Sequence, residues 1–344
     1  MYKSIGMDLG ASRLVVSAAE EGILYARGAE AAFRGTDGIL LESGEDGCRF
    51  GKTEGGEPLP SVFHENTAVP ACLGDVISEG LAVHGDGGAC RQILFSIPCS
   101  FGEVEENALA EMAMTAGAEA VYLVYSPLAA LAGNDIALTT SAIVVDIGAM
   151  QTNILVICRG RIIVKKTYPI GGNHFDKAIV SYLLRHHKVE IDARAAETIK
   201  KQIGTVWISN EKQSVDMRGR DITNGDYCTV RVSSEEMFTA LEEPMAAFID
   251  GICKTVTRIP ADCVQDVFDT GILLAGGGCL LDGIDKMLSG VTGIDTARLH
   301  NPRETVAKGL ASILTDSNLS LAGTRNISRY IMKMSAVPKR GTKE

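Results

Sequence analysis

The chain has 344 residues, of which 43 are acidic and 33 basic, so its formal net charge is -10. The length predicts two domains, and the 46% hydrophobic and 22% charged residues exclude a disordered or collagen-like chain. The negative charge argues against nucleic acid as a partner, but it allows a nucleotide ligand because backbone N–H groups can hold phosphate.

The N-terminal residues and the cysteines indicate the cellular compartment of the protein. No signal peptide is predicted at the start, and no apolar run reaches the roughly 18 residues of a membrane span. The nine cysteines include no Cys-x-x-Cys pair, which is typical of reduced thiols in a cytosol and does not favour a zinc site. The sequence therefore favours a cytoplasmic protein.

A repeated segment is the strongest organisational signal. Residues 4–12 and 142–150 each join an apolar run to an Asp-x-Gly-Ala sequence, and each is followed by a second apolar run. Such a pattern predicts a β-hairpin with an aspartate, Asp8 or Asp146, close to its turn. The second copy continues through residues 162–167 and predicts a three-strand meander. Two copies predict two similar α/β domains that face each other.

Helices are predicted from apolar residues at helical spacing. Ser233 and Glu236 form a capping-box pair before one helix, and Asn173 is the expected N-cap of another. The predicted helices cover residues 103–116, 173–186, 195–203, 235–257 and 303–314. Residues 33–92 are rich in glycine and proline and predict a loop-rich subdomain.

Three sequence features fit a nucleotide with Mg²⁺. Asp8 and Asp146 can hold the metal, and the turns after Gly10 and Gly148 can offer N–H groups to phosphates. The strand 272–275 leads into three glycines, where backbone can approach a ligand before a helix begins. Taken singly, an Asp-x-Gly sequence is more often an ordinary turn, and the glycine run could be a plain strand–helix connection.

Glu197 and Lys200 lie three residues apart and share a face of a predicted helix. The carboxylate could bind ribose hydroxyls, and the lysine could border an adenine ring. The alternative is a solvated surface pair with no ligand.

These residues resemble the MreB (rod shape-determining) family of bacterial actin-like ATPases. Asp146-Ile147-Gly148 is similar to the second phosphate loop of that family, and Ala196–Lys200 is similar to its adenosine segment. The matching stretches, in chain order, also include Gly171–Ile179, Arg218–Asp221, Gly271–Gly278 and Asn301–Gly309. The first half matches more weakly, through Asp8-Leu9-Gly10 and residues 126–130.

The resemblance implies an α/β actin-like ATPase fold, with two ribonuclease-H-like domains that face each other across a nucleotide cleft. Domain I would span residues 1–140 and be completed by 303–322, domain II would span 141–302, and a basic tail would follow at 323–344. The implied ligands are ATP and Mg²⁺. The implied partners are further copies of the chain in cytoskeletal filaments, and proteins of cell-wall synthesis or morphogenesis.

The resemblance also implies a set of binding residues. Asp8 and Asp146 would hold Mg²⁺, through water. The cofactor-binding set would be Asp8, Gly10, Ala11, Ser12, Arg13, Asp146, Gly148, Ala149, Met150, Gly172, Glu197, Lys200, Gly276, Gly277, Gly278 and Cys279.

The sequence departs from the family at the positions that serve hydrolysis. Ser126 stands where the family has a glutamate that helps to activate water, and Gln151 stands where a threonine positions it. Ala149 and Met150 replace two glycines of the second phosphate loop, and the first loop lacks the usual Thr and Asn. Hydrolysis needs an oriented water and a proton acceptor, so we expect ATP turnover to be weak or lost.

The basic tail has helical periodicity. Ile327, Tyr330, Ile331 and Met334 would share one face of a helix, with basic residues beside it. Such a helix could contact the inner membrane surface through residues 326–343. The alternative is a helix that packs on the body, or a solvated tail.

Two other classes of function fit the fold. A non-polymerising adaptor, like the FtsA or pilus-assembly relatives, would use the same fold as a docking platform. A sugar kinase or a chaperone ATPase fits less well, because the chain has no long peptide-binding domain and no evident catalytic carboxylate for sugar phosphorylation.

Overall fold

The computed structural model describes residues 4–19, 21–28, 31–33, 40–43, 58–59, 77, 92–208, 212–315 and 332–334. The chain divides into two compact units, Met1–Leu138 with Glu304–Glu344, and Thr139–Arg303. Among the described residues, no helix is both long enough and apolar enough to cross a bilayer.

The first unit is built on a six-stranded sheet. Its strands are β1 (Ser4–Leu9), β2 (Arg13–Ala18), β3 (Gly22–Gly28), β7 (Gln92–Ile97), β8 (Ala120–Tyr125) and β17 (Met332–Met334), in the order β17-β8-β7-β1-β2-β3. β1 pairs antiparallel with β2 and parallel with β7. A smaller sheet contains β4 (Ala31–Phe33), β5 (Leu40–Ser43) and β6 (Pro58–Leu59).

Three helices belong to the first unit: α1 (Glu103–Thr115), α2 (Ser126–Ala132) and α8 (Thr305–Thr315). Helix α8 packs on α2 and on strands β1, β2, β3 and β7. The crossing of α2 and α8 is very close, since a Cβ added at Gly309 would overlap the carbonyl oxygen of Ala129. The buried Thr305 hydroxyl donates to the Ala130 carbonyl at 3.0 Å and fixes the same crossing.

The second unit contains a five-stranded and a three-stranded sheet. The larger has the order β11-β10-β9-β15-β16, from β9 (Ala142–Ile147), β10 (Thr152–Cys158), β11 (Arg161–Tyr168), β15 (Ile272–Ala275) and β16 (Thr296–Arg298). The smaller contains β12 (Val189–Glu190), β13 (Ser214–Asp221) and β14 (Tyr227–Ser233). The helices are α3 (Gly172–His186), α4 (Ala193–Ile203), α5 (Ser234–Val256), α6 (Ala261–Thr270) and α7 (Ile284–Thr292).

One hydrophobic core holds the second unit together. β9 and β10 are buried along their whole length, which explains the apolar runs at residues 142–145 and 154–158. Phe175, Ile179 and Leu183 on one face of α3 pack into the same core as Phe248 of α5. This core holds the ends of β9, α3 and α4 in fixed positions relative to one another.

The predictions that depend on residues close together in the sequence are confirmed. β1 and β2 form one predicted hairpin, β9 and β10 form the other, and β11 completes the meander. The capping box before α5 is present, because the Ser233 N–H donates to Glu236 Oε2 at 2.8 Å and the Glu236 N–H donates back to Ser233 Oγ. The apolar face of α8 is buried as predicted.

Two local predictions are wrong. Asn173 is not the N-cap of α3, because the helix begins at Gly172 and Gly171 is its N-cap residue. The predicted helix of the tail fails at Met332–Met334, which form strand β17 against β8. This strand pairs with backbone groups that β8 would otherwise present at the edge of the sheet. The rest of that predicted helix, and most of the loop-rich region at 33–92, lie outside the described residues.

Candidate functional site

The turn between β9 and β10 lies next to Asp146. The Gly148 N–H donates to the Gln151 carbonyl at 2.9 Å and closes a four-residue turn. Asp146 is the second-to-last residue of β9, pairs with Asn153 across the hairpin, and is 9% exposed. The turn residues 148–151 are half-buried.

The first turn of α3 donates to the carbonyls of this turn. The Gly172 N–H bonds to the Gly148 carbonyl at 3.0 Å, and the Asn173 N–H bonds to the Ala149 carbonyl at 2.8 Å. In a trans peptide the C=O and the following N–H point in opposite directions. The N–H groups of Ala149 and Met150 therefore both point away from α3. Adjacent N–H groups with a common direction favour an anion, so this turn can hold a phosphate without the two missing glycines.

Gly171 lets α3 approach the turn closely. A Cβ at this position would lie 2.6 Å from the Gly148 carbonyl oxygen and 2.7 Å from that of Ala149, closer than real Cβ contacts allow. Its φ of -160° is ordinary extended backbone, so glycine is needed here for space and not for conformation.

Lys200 lies under the first turn of α3. Its Nζ donates to the Gly172 carbonyl at 3.0 Å and to Asp176 Oδ2 at 2.9 Å, and it lies 2.8 Å from Oδ1 as an ion pair. The two side chains are 14% and 9% exposed. Burial raises the pKa of the Asp176 carboxyl, and the charge of Lys200 opposes that rise. The solvated surface pair considered for Lys200 is therefore wrong.

Glu197 lies on the same helix but pairs with a different lysine. Its Oε1 lies 2.7 Å from Nζ of Lys201, and its side chain is 42% exposed. Burial tends to raise the pKa of Glu197, but the hydrogen bond and charge of Lys201 outweigh it, so the pKa is lowered. Glu197 is thus an ionised, accessible acceptor, as binding to ribose hydroxyls requires.

The glycine run after β15 packs on the Asp146 end of β9. Gly276 has a φ of +78°, and a Cβ there would lie 2.6 Å from Asp146 Oδ1. Gly278 packs equally closely on the side chain of Ile147. The last two glycines of the run begin a 3-10 helix of four residues, Gly277–Leu280.

Cys279 cannot contribute its side chain to a ligand. The thiol is fully buried in the core, and burial raises its pKa to about 12. Only the backbone of Cys279 remains available for a contact. Gly277, by contrast, lies next to Arg303, whose Cγ would be 3.7 Å from an added Cβ.

The first unit carries the same hairpin arrangement around Asp8. Asp8 is the second-to-last residue of β1, and its Oδ1 accepts a hydrogen bond from Ser96 Oγ at 2.5 Å. Gly10 lies tightly over the Arg13 carbonyl in the turn, with Ala11 and Ser12 between them. Asp8 lies opposite Val15 in the first hairpin, and Asp146 lies opposite Asn153 in the second, so the two hairpins have the same register. The sequence repeat is therefore a structural repeat.

Ser126 is the first residue of α2 and is buried, at 7% exposed. A hydroxyl is a poor proton acceptor, and the half-buried Gln151 is an amide with no basic group. Within the described ranges, no group of three or more His, Cys, Asp or Glu side chains could hold a metal alone. A Mg²⁺ ion on Asp8 or Asp146 would complete its shell with water and phosphate oxygens.

Sequence reasoning missed two polar partners. The sequence included Asp176 only within the matching stretch Gly171–Ile179, and it did not identify Ser96 at all. A lone serine within the apolar strand 92–97 was the available signal for Ser96. No local signal pairs Asp176 with Lys200.

Comparisons of sequence place the chain among known proteins. The profile of the MreB/Mbl protein family matches residues 2–321. The cell shape-determining protein Mbl of Bacillus subtilis (strain 168) is 31% identical over 320 residues, which are 91% of this chain and 96% of that protein. The cell shape-determining protein MreB of Escherichia coli (strain K12) is 32% identical over 220 residues, 63% of each chain.

Solved structures with the same fold include two of MreB5 of Spiroplasma citri. The complex with ADP matches with a TM-score of 0.86 over 93% of this chain, and the complex with AMPPNP matches with a TM-score of 0.85 over 95% of this chain. Both are 24% identical to this chain, and each match covers 98% of the solved chain. The MamK double helical filament matches with a TM-score of 0.75 at 18% identity, over 90% of this chain and 98% of that chain. These matches confirm the predicted actin-like α/β fold.

Proposed function

Because this chain belongs to the MreB/Mbl family, we propose that it is a nucleotide-binding bacterial actin homologue that forms filaments and takes part in determining cell shape. The observation that carries nucleotide binding is the turn at residues 148–151, where α3 holds two carbonyls and thereby directs two N–H groups to the opposite side. Relatives crystallised with ADP and AMPPNP support an adenine nucleotide as the ligand. We assign the two actin-like domains to residues 1–140 with 303–322, and to 141–302.

Mg²⁺ would neutralise phosphate charge in the bound nucleotide. We assign Asp8 and Asp146 to it, through water, and Glu197 to the ribose. The turns at Gly10 to Arg13 and at Gly148 to Met150 would supply N–H groups to the phosphates, with Gly172 against the second of these turns. The backbone of Gly276 to Cys279 would lie beside the nucleoside.

The metal assignment is tested by titration calorimetry on the full chain. Asp146→Asn should weaken ATP binding about tenfold or more with Mg²⁺ present and change it little with EDTA. Asp266→Asn is the matched control, because Asp266 is paired with Arg159 on the surface of the same unit. Equal weakening of binding by Asp146→Asn with and without Mg²⁺ would contradict the metal role.

Filament formation is tested by pelleting and electron microscopy of the full chain with and without Mg-ATP. Filaments are expected with nucleotide. A protein that binds ATP but stays dispersed at high concentration would instead be the adaptor considered from the sequence. That outcome would reject the filament proposal and leave nucleotide binding intact.

Slow or absent hydrolysis is part of the proposal. The buried Ser126 offers a hydroxyl where the family has a carboxylate, and Gln151 adds no basic group. We expect a phosphate-release assay to give turnover well below that of relatives that carry the glutamate. Turnover as fast as theirs would contradict this part of the proposal.

A cytoplasmic location, contact with morphogenesis proteins and membrane contact through residues 326–343 accompany this proposal. Deleting the tail would also remove β17, so charge reversal is the cleaner test. The double variant Lys339→Glu with Arg340→Glu should reduce co-sedimentation with anionic liposomes. Undiminished binding would exclude the basic tail as the anchor.

A further inference from the structure

A buried ion pair joins α4 to the first turn of α3. Lys200 projects from α4, while Asp176 and the Gly172 carbonyl belong to α3. The ammonium contacts all three acceptor atoms within 3.0 Å. Two of these contacts are hydrogen bonds, to the Gly172 carbonyl and to Asp176 Oδ2, while the contact with Asp176 Oδ1 is an ion pair without hydrogen-bond geometry.

The same turn of α3 connects the ammonium to the phosphate-binding turn. The carbonyl of Gly172 accepts from Lys200, and the N–H of Gly172 donates to the Gly148 carbonyl. The next N–H, that of Asn173, donates to the Ala149 carbonyl. Lys200 therefore holds α3 from one side while α3 holds residues 148–149 from the other.

Lys200 is not easily released from this position. If its side chain moved away to reach a ligand, the carboxylate of Asp176 would be left buried without its counter-ion, which is strongly unfavourable. The ammonium and the carboxylate also neutralise each other, so Lys200 adds little net charge that could attract a phosphate directly.

We propose that Lys200 and Asp176 are positioning residues for the phosphate-binding turn, acting through the first turn of α3, and that Lys200 does not contact the adenine ring. This inference rests on the proposed nucleotide binding. It predicts that the pair supports the binding of phosphates and contributes nothing to the binding of the nucleoside.

The test compares ligands with and without phosphates. The full-length wild type, Lys200→Met, Asp176→Asn and the double variant would each be titrated with ATP, ADP and adenosine, in competition with a fluorescent ATP analogue. The double variant is the decisive one, because it leaves no unpaired buried charge. Its ATP and ADP affinities should fall about tenfold, while its adenosine affinity should match that of the wild type.

The matched control is Lys254→Met, which removes a lysine from an exposed pair with Asp250 on α5 of the same unit. Its affinities for all three ligands should equal those of the wild type. The conservative variant Lys200→Arg keeps a cation beside Asp176 and should recover part of the ATP affinity lost in Lys200→Met. Far-UV circular dichroism and urea midpoints establish that each variant is folded.

Three outcomes would overturn the inference. An equal loss of ATP and adenosine affinity in the double variant would place Lys200 at the adenine ring. Unchanged ATP affinity would show that the pair has no positioning role. If the wild type itself binds neither ATP nor ADP, the proposed function fails first, and the inference fails with it.

Discussion

Replacing Gly171 by alanine should force α3 away from the turn at residues 148–151. The added Cβ would lie 2.6 and 2.7 Å from two carbonyl oxygens, both of which are backbone atoms that cannot rotate aside. The same two carbonyls accept the hydrogen bonds from Gly172 and Asn173, at 3.0 and 2.8 Å. Relief of the overlap therefore stretches both bonds.

The expected cost follows from these contacts. Two weakened hydrogen bonds are worth about 1–3 kcal/mol together, and this is the whole cost of the overlap, because stretching these bonds is what relieves the overpacking. The backbone at Gly171 is extended, so alanine adds no conformational strain, and it recovers about 0.4–1 kcal/mol from the unfolded chain. We expect a net loss of about 1–2 kcal/mol in the free energy of unfolding. ATP affinity should fall about tenfold, because the N–H groups of residues 149–150 lose their common direction.

Urea unfolding followed by circular dichroism, together with ATP titration, measures both effects. The control is Gly290→Ala, in α7 of the same unit, where the nearest atom to an added Cβ is Trp207 Cζ3 at 3.9 Å. That substitution should be neutral or stabilise by about 0.5–1 kcal/mol, and it should leave ATP affinity unchanged. If Gly171→Ala matches the wild type in stability and affinity, the close approach of α3 to the turn has no energetic role.

Three further predictions concern other parts of the chain. Gly309→Ala should lower the free energy of unfolding of the first unit by about 2–4 kcal/mol in urea unfolding, because the added Cβ would overlap the Ala129 carbonyl. A smaller effect than that of Gly171→Ala would show that the close crossing of α2 and α8 matters little for stability. Burial tends to raise the pKa of Glu236, but hydrogen bonds from Ser233 and from a histidine ring keep this pKa below the ordinary 4.5. The ionised Glu236 therefore stabilises the fold above pH 4.5, and this contribution is lost as the pH falls through the lower pKa of the folded state. The difference in unfolding free energy between wild type and Glu236→Gln should therefore shrink as the pH falls below 4.5. A difference that grows on acidification would contradict this reasoning. Ser126→Glu should raise the rate of phosphate release by about tenfold to a hundredfold, and an unchanged rate with ATP binding intact would show that Ser126 does not limit turnover.

The features that sequence predicted well depend on residues that are close in the chain. The two aspartate hairpins, the meander and the capping box of Ser233 and Glu236 are each defined within a few residues. The residue types that they need are visible in the pattern itself. The same holds for the buried face of α8, which follows from its apolar spacing.

The features that sequence missed depend on distant partners. Lys200 looks like a surface residue on its own helix, and only the packing of α4 on α3 brings Asp176 to it. The N-cap of α3 is Gly171 and not the predicted Asn173. The first N–H groups of α3 donate to carbonyls of the turn at residues 148–151, so they need no capping side chain. Met334 is in a strand because β8 has an open edge, which no helical periodicity can reveal.

Helix α8 has a consequence for how the chain acquires its structure during synthesis. It packs on β1 and β2, and Thr315 at its end donates to the Ala19 carbonyl, 296 positions earlier in the chain. The second unit is one uninterrupted segment, so it can fold as soon as residue 303 has left the ribosome. The first unit is translated first, but its sheet waits with an uncovered apolar face until α8 follows. We therefore expect the first unit to complete its fold last, and to be the part of the growing chain most exposed to aggregation.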